Sequence, residues 1–234
     1  MIDLRPFERI VFFTGAGLSA ESGIPTYRGR GGVWEKYDYE TYACQEAFDA
    51  DPARVWDFHD ERRRVVGVAE PNAGHGIIAA VQKARPNTVV ITQNVDGLHQ
   101  RAGANGVIEL HGSLWRVRCA GCRTVTGNRE VPLQSRTCRC GTWLRPDVTW
   151  FGDPLDMDAI EASQRAIGAC DVLISIGTSG SVFPAAYLPQ IAVRTGAERI
   201  EINPEETQVS GWYNHHLRGP ASAMLEEVCQ ALLF

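Results

Sequence analysis

The chain has 234 residues, 44% of them hydrophobic, enough to bury one α/β core with a small inserted module, and this excludes a disordered or fibrous protein. A formal charge of -5, with no basic run beyond the short Arg62-Arg63-Arg64, leaves no global positive field to attract a phosphate backbone, so direct nucleic-acid binding is not expected. No apolar run approaches membrane-spanning length and Asp3 and Pro6 stand where a secretory segment needs apolar residues, so no membrane association is expected, and a cytoplasmic monomer is.

In chain order, short β-branched runs at 10–14, 88–92, 107–110, 172–176 and 199–202 alternate with helical periodicity at 74–84, 155–169, 184–194 and 220–233. This alternation predicts a parallel sheet with helices on both faces, a Rossmann-like α/β fold. Two stretches break the pattern: 29–71 is aromatic and charged, and 115–145 holds four cysteines with little helical periodicity. The expected division is a nucleotide-binding domain from 1–28, 72–114 and 146–234, and a small domain from 29–71 and 115–145.

The first strand runs into Gly15-Ala16-Gly17-Leu18-Ser19-Ala20, a G-x-G-x-x-A turn whose glycines would bring backbone N–H groups close to a pyrophosphate. A dehydrogenase would continue with a full helix, but Gly23 and Pro25 cut any helix to about two turns. Tyr27-Arg28-Gly29-Arg30-Gly31-Gly32 then reads as a mobile loop that closes over a cofactor for chemistry other than plain hydride transfer.

Ligands of open α/β sheets sit beyond the carboxyl ends of the strands. Those ends carry Gln93-Asn94-Val95-Asp96, His111-Gly112, Gly177-Thr178-Ser179 and Asn203-Pro204, which with the glycine turn direct five polar clusters at one crevice. Of six histidines only His111 stands at a strand end, which makes it the candidate general base.

Cys119-Ala120-Gly121-Cys122 and Cys138-Arg139-Cys140 are separated by fifteen residues, a pattern for tetrahedral zinc with four thiolate ligands. Four thiolates leave no open coordination position, so one structural ion per chain is expected. Seven cysteines, an odd number, argue against a complete disulfide framework, and Cys44, Cys170 and Cys229 read as free thiols.

These motifs, with Glu21-Ser22-Gly23-Ile24-Pro25-Thr26-Tyr27-Arg28 and Trp150-Phe151-Gly152-Asp153, resemble the sirtuin family over nearly the whole chain, from Gly15 to Ala221. The resemblance implies an NAD-dependent protein-lysine deacylase. The acyl oxygen attacks C1′ of the nicotinamide ribose, His111 acts as base on a ribose hydroxyl, and the products are lysine, nicotinamide and O-acyl-ADP-ribose. It implies that Asn94 positions ribose and a water and that Asp96 holds the carboxamide. NAD contacts are implied for Gly15, Ala16, Gly17, Ser19, Glu21, Pro25, Thr26, Tyr27, Arg28, Trp34, Gln93, Gly177, Thr178, Ser179, Asn203, Pro204 and Ala221. A substrate peptide is implied between Phe151-Gly152 and the 180–183 segment containing Val182. Asp153 replaces the glutamate more usual in the family.

The resemblance extends to the sirtuins that prefer succinyl and malonyl lysine. There a Tyr-x-x-Arg pair on one helix face holds the distal carboxylate, and a small alanine widens the pocket. Residues 54–66 read as an amphipathic helix, on which Arg62 matches the arginine and His59 replaces the tyrosine; Ala43 matches the alanine. A protonated His59 would donate better, predicting desuccinylation that strengthens towards about pH 6. Two other readings use the same crevice: ADP-ribosyl transfer to a protein side chain, and a non-catalytic NAD or ADP-ribose sensor.

Overall fold

The computed structural model describes residues 2–29 and 31–233. Its strands are β1 (Ile10–Thr14), β2 (Val89–Thr92), β3 (Ile108–Glu109), β4 (Gly112–Cys119), β5 (Val125–Gly127), β6 (Leu144–Val148), β7 (Val172–Ile176), β8 (Glu198–Ile202) and β9 (His215–Leu217). The α-helices are α1 (Ala16–Ser19), α2 (Val33–Lys36), α3 (Tyr39–Tyr42), α4 (Gln45–Ala50), α5 (Pro52–Val68), α6 (Ala73–Ala84), α7 (Leu98–Arg101), α8 (Met157–Ala169), α9 (Gln190–Thr195) and α10 (Ala221–Leu233). None of the described helices is long and apolar enough to cross a membrane.

Six parallel strands form the main sheet in the order β3-β2-β1-β7-β8-β9. Counted within that sheet the order is 3-2-1-4-5-6, the doubly wound arrangement in which the chain reverses direction between β1 and β7. All five residues of each of these strands are buried, as expected for strands covered on both faces. Phe12, Ile174 and Ile202 meet Ile78 and Val81 of α6 and Leu225 and Val228 of α10 on one face. Val11, Phe13 and Leu173 meet Ile167 of α8 and Ala192 of α9 on the other.

A second, antiparallel sheet has the order β5-β4-β6. Val117, Val148 and Trp150 on or beside it pack with Val55, Trp56 and Val66 of α5 in a third core. Pro52 at the first turn of α5 and Asp51, whose carboxylate accepts from the Arg54 N–H, explain where that helix begins.

Three expectations need correction. The predicted helix at 184–194 is a 3-10 turn (Ala185–Tyr187) followed by α9, because Pro189 has no N–H to continue a helix through it. The strand expected at 107–110 pairs only through Ile108 and Glu109. A sixth parallel strand, β9, is too short for its three residues to show a period. Helix α5 is amphipathic as expected: Arg54, Asp57, Glu61 and Arg64 are exposed along one stripe, and Arg62 and Arg63 lie on the buried side.

Candidate active site

The crevice opens at the reversal between β1 and β7, where two glycine turns meet backbone to backbone. The Gly15 N–H donates to the Ile176 carbonyl (2.9 Å) and the Gly17 N–H to the Gly177 carbonyl (2.8 Å). A Cβ on Gly17 would lie 2.6 Å from Gly177 Cα, and one on Gly177, where φ is +59°, would lie 2.4 Å from Leu18 N. These glycines are therefore required by contact between the turns, and their own amides are already used. Ala16, the first residue of α1, keeps the free N–H of a helix start, the atom suited to an anionic oxygen.

Helix formation stops early, as expected, with a 3-10 turn at Ala20–Ser22 and left-handed Gly23. The following loop is pinned by hydrogen bonds from Val33 N–H to Thr26 O and from Trp34 N–H to Tyr27 O. Arg30 lies outside the described residues. Trp34 stacks on Phe58 of α5 and meets Tyr27 and Phe151, while the exposed Arg28 guanidinium sits over the Phe151 ring. Pro25 and Tyr27 line a small enclosed pocket with Ala16, Ser19, Ile24, Asn94, Asp96 and Arg62.

Asn94 and Asp96 are both buried at the end of β2. Asn94 Nδ2 donates to the Gly15 carbonyl (3.0 Å) and to Ser19 Oγ (3.2 Å), leaving Oδ1 to accept from a ligand. Asp96 accepts from Ser19 Oγ (2.7 Å) and from the Leu98 N–H (2.9 Å), and the Trp115 indole donates to its backbone carbonyl. Burial raises the Asp96 pKa, and the two donors partly oppose that shift.

His111 is half-buried beyond β3. Its Nδ1 lies 2.9 Å from the Gln93 carbonyl, an acceptor only, so Nδ1 carries the proton and Nε2 keeps a free lone pair. Burial lowers its pKa, offset by the Gln93 contact and reinforced by nearby Arg28. Gly112 (φ +75°) makes the following turn possible, since a Cβ there would meet the Asp147 carbonyl at 2.1 Å.

On the far side of the crevice, Thr178 Oγ1 accepts from Gln93 Nε2 (3.0 Å) and the Thr178 carbonyl accepts from Asn203 Nδ2 (2.7 Å). Ser179 is exposed, and its hydroxyl pairs with that of Ser181. Pro204 is exposed beyond Asn203, and buried Ala221 starts α10. Glu21 is turned to that helix start, where it accepts from the Ser222 N–H (3.0 Å). Gln93, Thr178 and Asn203 thus form one rim, with Glu21 joined to it through α10.

Two buried histidines beneath the crevice carried no strand-end signal in the sequence. His99 Nε2 is 2.9 Å from Thr14 Oγ1, and His75 Nε2 is 3.5 Å from Ser19 Oγ. Burial pushes their pKa values down to about 3 and about 4, respectively. His75 also belongs to a capping box with Asn72, but Asn-x-x-His differs from the usual Ser/Thr-x-x-Glu pattern.

Of the acyl-selectivity candidates, buried Ala43 offers its carbonyl to the Phe151 N–H (2.9 Å). Phe151 and Val182 are half-buried, and Gly152 takes φ +87°. Arg62 joins the enclosed pocket, with its guanidinium 5.6 Å from the Tyr27 ring centroid. His59 is absent from that lining. Its Nε2 accepts from the Trp150 indole at 3.1 Å, and burial, reinforced by Arg145, Arg62 and Arg63, pushes its pKa down to about 3. The expected gain in desuccinylation towards pH 6 is therefore overturned, because His59 does not become protonated there.

The sulfur atoms of Cys119, Cys122, Cys138 and Cys140 lie within 4.8 Å of one another. A tetrahedral zinc thiolate site has sulfur separations of about 3.8 Å. Cys119–Cys140 at 3.4 Å and Cys122–Cys138 at 3.7 Å are close to that value, so both members of the C-x-C half face the ion position and the four residues fit zinc.

Residues 15–184 match the model of the Sir2 family. An NAD-dependent protein deacylase of Aquifex aeolicus (strain VF5) is 46% identical over 222 residues, covering 94% of this chain and 93% of that protein. NAD-dependent protein deacylase 1 of Caldanaerobacter subterraneus subsp. tengcongensis is 50% identical, covering 86% of this chain and 84% of its own. A solved Sir2 homologue in complex with NAD superposes with a TM-score of 0.90 at 41% identity, covering 97% of this chain and 90% of that one. With the family model matched over residues 15–184, relatives at 46% and 50% identity along most of their length, and the fold superposing, this chain belongs to the Sir2 family.

Proposed function

We propose that the chain is an NAD-dependent protein-lysine deacylase that removes acetyl groups and, through Arg62, succinyl and malonyl groups, giving lysine, nicotinamide and O-acyl-ADP-ribose. The observation that carries this reading is His111, with Nδ1 committed to the Gln93 carbonyl and Nε2 free. Relatives named NAD-dependent protein deacylase support it, as do solved Sir2 complexes with NAD and with ADP-ribose.

Bound NAD supplies an electrophilic ribose carbon and a nicotinamide leaving group. His111 takes a hydroxyl proton at Nε2, for which its lowered pKa keeps it ready at neutral pH. Asn94 Oδ1 orients a ribose hydroxyl or a water, and Asp96 accepts from the carboxamide. The Ala16 amide, Gln93, Thr178 and Asn203 hold the rest of the nucleotide, while the loop from Pro25 to Trp34 covers it and excludes water. A substrate strand pairs between Phe151-Gly152 and the segment containing Val182. We read 1–28, 72–114 and 146–234 as the nucleotide-binding domain and 29–71 with 115–145 as the small one. Cysteines gathered for a metal rather than joined as disulfides fit a reducing compartment, which supports a cytoplasmic location.

The deciding experiment incubates the protein with NAD and acetyl-, malonyl- or succinyl-lysine peptide and follows both products by mass spectrometry. O-acyl-ADP-ribose in solution is expected. ADP-ribose added covalently to protein without acyl loss would establish transferase activity instead. NAD binding with no nicotinamide release would establish a sensor.

A further inference from the structure

Asp96 lies beyond β2 of the parallel sheet, yet two of the groups that fix its main chain come from the other sheet. The Leu114 N–H of β4 donates to the Val95 carbonyl (2.9 Å), and one residue on, the Trp115 indole donates to the Asp96 carbonyl (2.6 Å). Trp115 and Asp96 are both buried, so bulk water does not replace that donor.

The effect of this bond runs through Gly97. Gly97 is left-handed (φ +75°), and a Cβ on it would lie 2.9 Å from Trp115 Cδ1, so the indole occupies the space that a side chain at 97 would need. A glycine leaves a turn free to take many shapes, and here the indole supplies the restraint. Holding the Asp96 carbonyl fixes the plane of the 96–97 peptide, from which the turn aims the Leu98 N–H at Asp96 Oδ1 (2.9 Å). With the Ser19 hydroxyl on Oδ2 (2.7 Å), the carboxylate has a set orientation.

Trp115 is itself held by the β4–β5 hairpin and by α5. Its carbonyl accepts from the Asn128 N–H (2.8 Å), and Arg63 donates to the Leu114 carbonyl (2.9 Å) and to Asn128 Oδ1 (3.1 Å). The Arg63 and Arg129 guanidinium carbons lie 5.6 Å and 5.4 Å from its ring centroid, a cation–π clamp on a ring that carries one donor. The same hairpin carries Cys119 and Cys122 at its far end.

We propose that Trp115 is a positioning residue for nicotinamide: its indole N–H, anchored in the cysteine module, holds the Asp96 turn in the geometry that reads the carboxamide. This rests on the reading of Asp96 as the carboxamide acceptor. It gives the small sheet a part in holding nicotinamide, whose return to the site reverses the first step, and leaves the ADP-ribose half to the glycine turn and the rim.

The test uses the intact zinc-loaded protein in which 3-benzothienylalanine replaces Trp115, keeping the shape of the ring without its N–H, with Trp115→Phe beside it. The quantities read are the nicotinamide inhibition constant against deacylation of acetyl-lysine peptide, the KM for that peptide, and the Kd of ADP-ribose by calorimetry. In both variants the inhibition constant rises about fivefold, as loss of one buried hydrogen bond implies, while peptide KM and ADP-ribose affinity stay within about twofold of wild type. A merely structural Trp115 would weaken all three together, and that result overturns the proposal. So does a wild-type inhibition constant in the benzothienyl protein, whether or not Trp115→Phe folds. Asp96→Asn, which turns one acceptor oxygen into a donor, separates the proposal from the reading beneath it. Wild-type nicotinamide inhibition in Asp96→Asn brings down that reading and the proposal together, whereas weakened inhibition there with none in the Trp115 variants strikes the proposal alone.

Discussion

The crevice at the reversal of the parallel sheet and the cysteine module beside α5 are organised by opposite means. At the crevice, backbone meets backbone: the Gly15-Ala16-Gly17 turn fits against Gly177, and the polar side chains above it bond chiefly to one another and to carbonyls. In the module, long cationic side chains span the gaps. Arg136 joins Asp57 and Asp60, Arg63 joins the Leu114 and Asn128 carbonyls, and Arg116 joins Glu109 and Asp147. The difference teaches that the crevice tolerates almost no added atoms, whereas the module adds ion pairs and a cysteine cluster to its share of a core, because β5 is wholly exposed and contributes nothing to that core.

The largest effect expected from breaking this contrast is at the crevice. His111→Ala should lower acyl-dependent nicotinamide release by about 10²- to 10⁴-fold with NAD affinity retained, measured by steady-state kinetics and calorimetry. A variant that kept full turnover would show that another group is the base.

Chelation of zinc, or Cys119→Ser, should lower the melting temperature by about 10 °C. Hydrogen exchange should accelerate first at β4–β6 and leave β1 and β7 protected. Simultaneous loss in both sheets would erase the distinction between the two regions.

Acid should act on both regions together. His59, His75 and His99 have native pKa values far below the unfolded value near 6.5, so the unfolded chain binds more protons below that pH. Their contribution is complete above about pH 6.5 and is lost as pH falls towards 4, each histidine contributing a slope of up to about 1.4 kcal/mol per pH unit. Urea titrations at pH 7 and 5 measure this, and equal stability at both would refute it.

Gly177→Ala should cost about 1–3 kcal/mol and weaken NAD binding, because the new methyl meets Leu18 N at a left-handed backbone position. Gly127→Ala in exposed β5, where an added Cβ has open space, is the matched control and should change little. Smallest, Arg62→Met should reduce succinyl-lysine turnover about tenfold more than acetyl-lysine turnover, as loss of one charge-assisted hydrogen bond implies. Side-by-side kcat/KM values check it.

Much of this was legible in the sequence, and unevenly so. The buried strands β1 and β7 announced themselves through mostly apolar, partly β-branched runs, broken only by Thr14 and Ser175, and the cysteine cluster through its two short pairs. The strand-end polar residues could be gathered into one crevice because parallel sheets present their carboxyl ends together. His75 and His99 were not legible, since a histidine inside a helix carries no mark of which buried hydroxyl it will meet across 56 or 85 residues of chain. Nor was the burial of Arg62 and Arg63, because a run of three arginines looks like a solvated face until Tyr27, Leu114 and Asn128 are brought against it.

Local patterning alone determined the alternating elements, the glycine turn, the early end of its helix and the two cysteine pairs, since each depends on residues near one another in the chain. Tertiary structure alone decided that Gly17 and Gly177 exclude each other's side chains, that Glu21 faces α10, and that His59 hands its Nε2 to Trp150. Those outcomes depend on which distant groups become neighbours in a close-packed interior, where an added methyl or a misplaced proton has no water to relieve it.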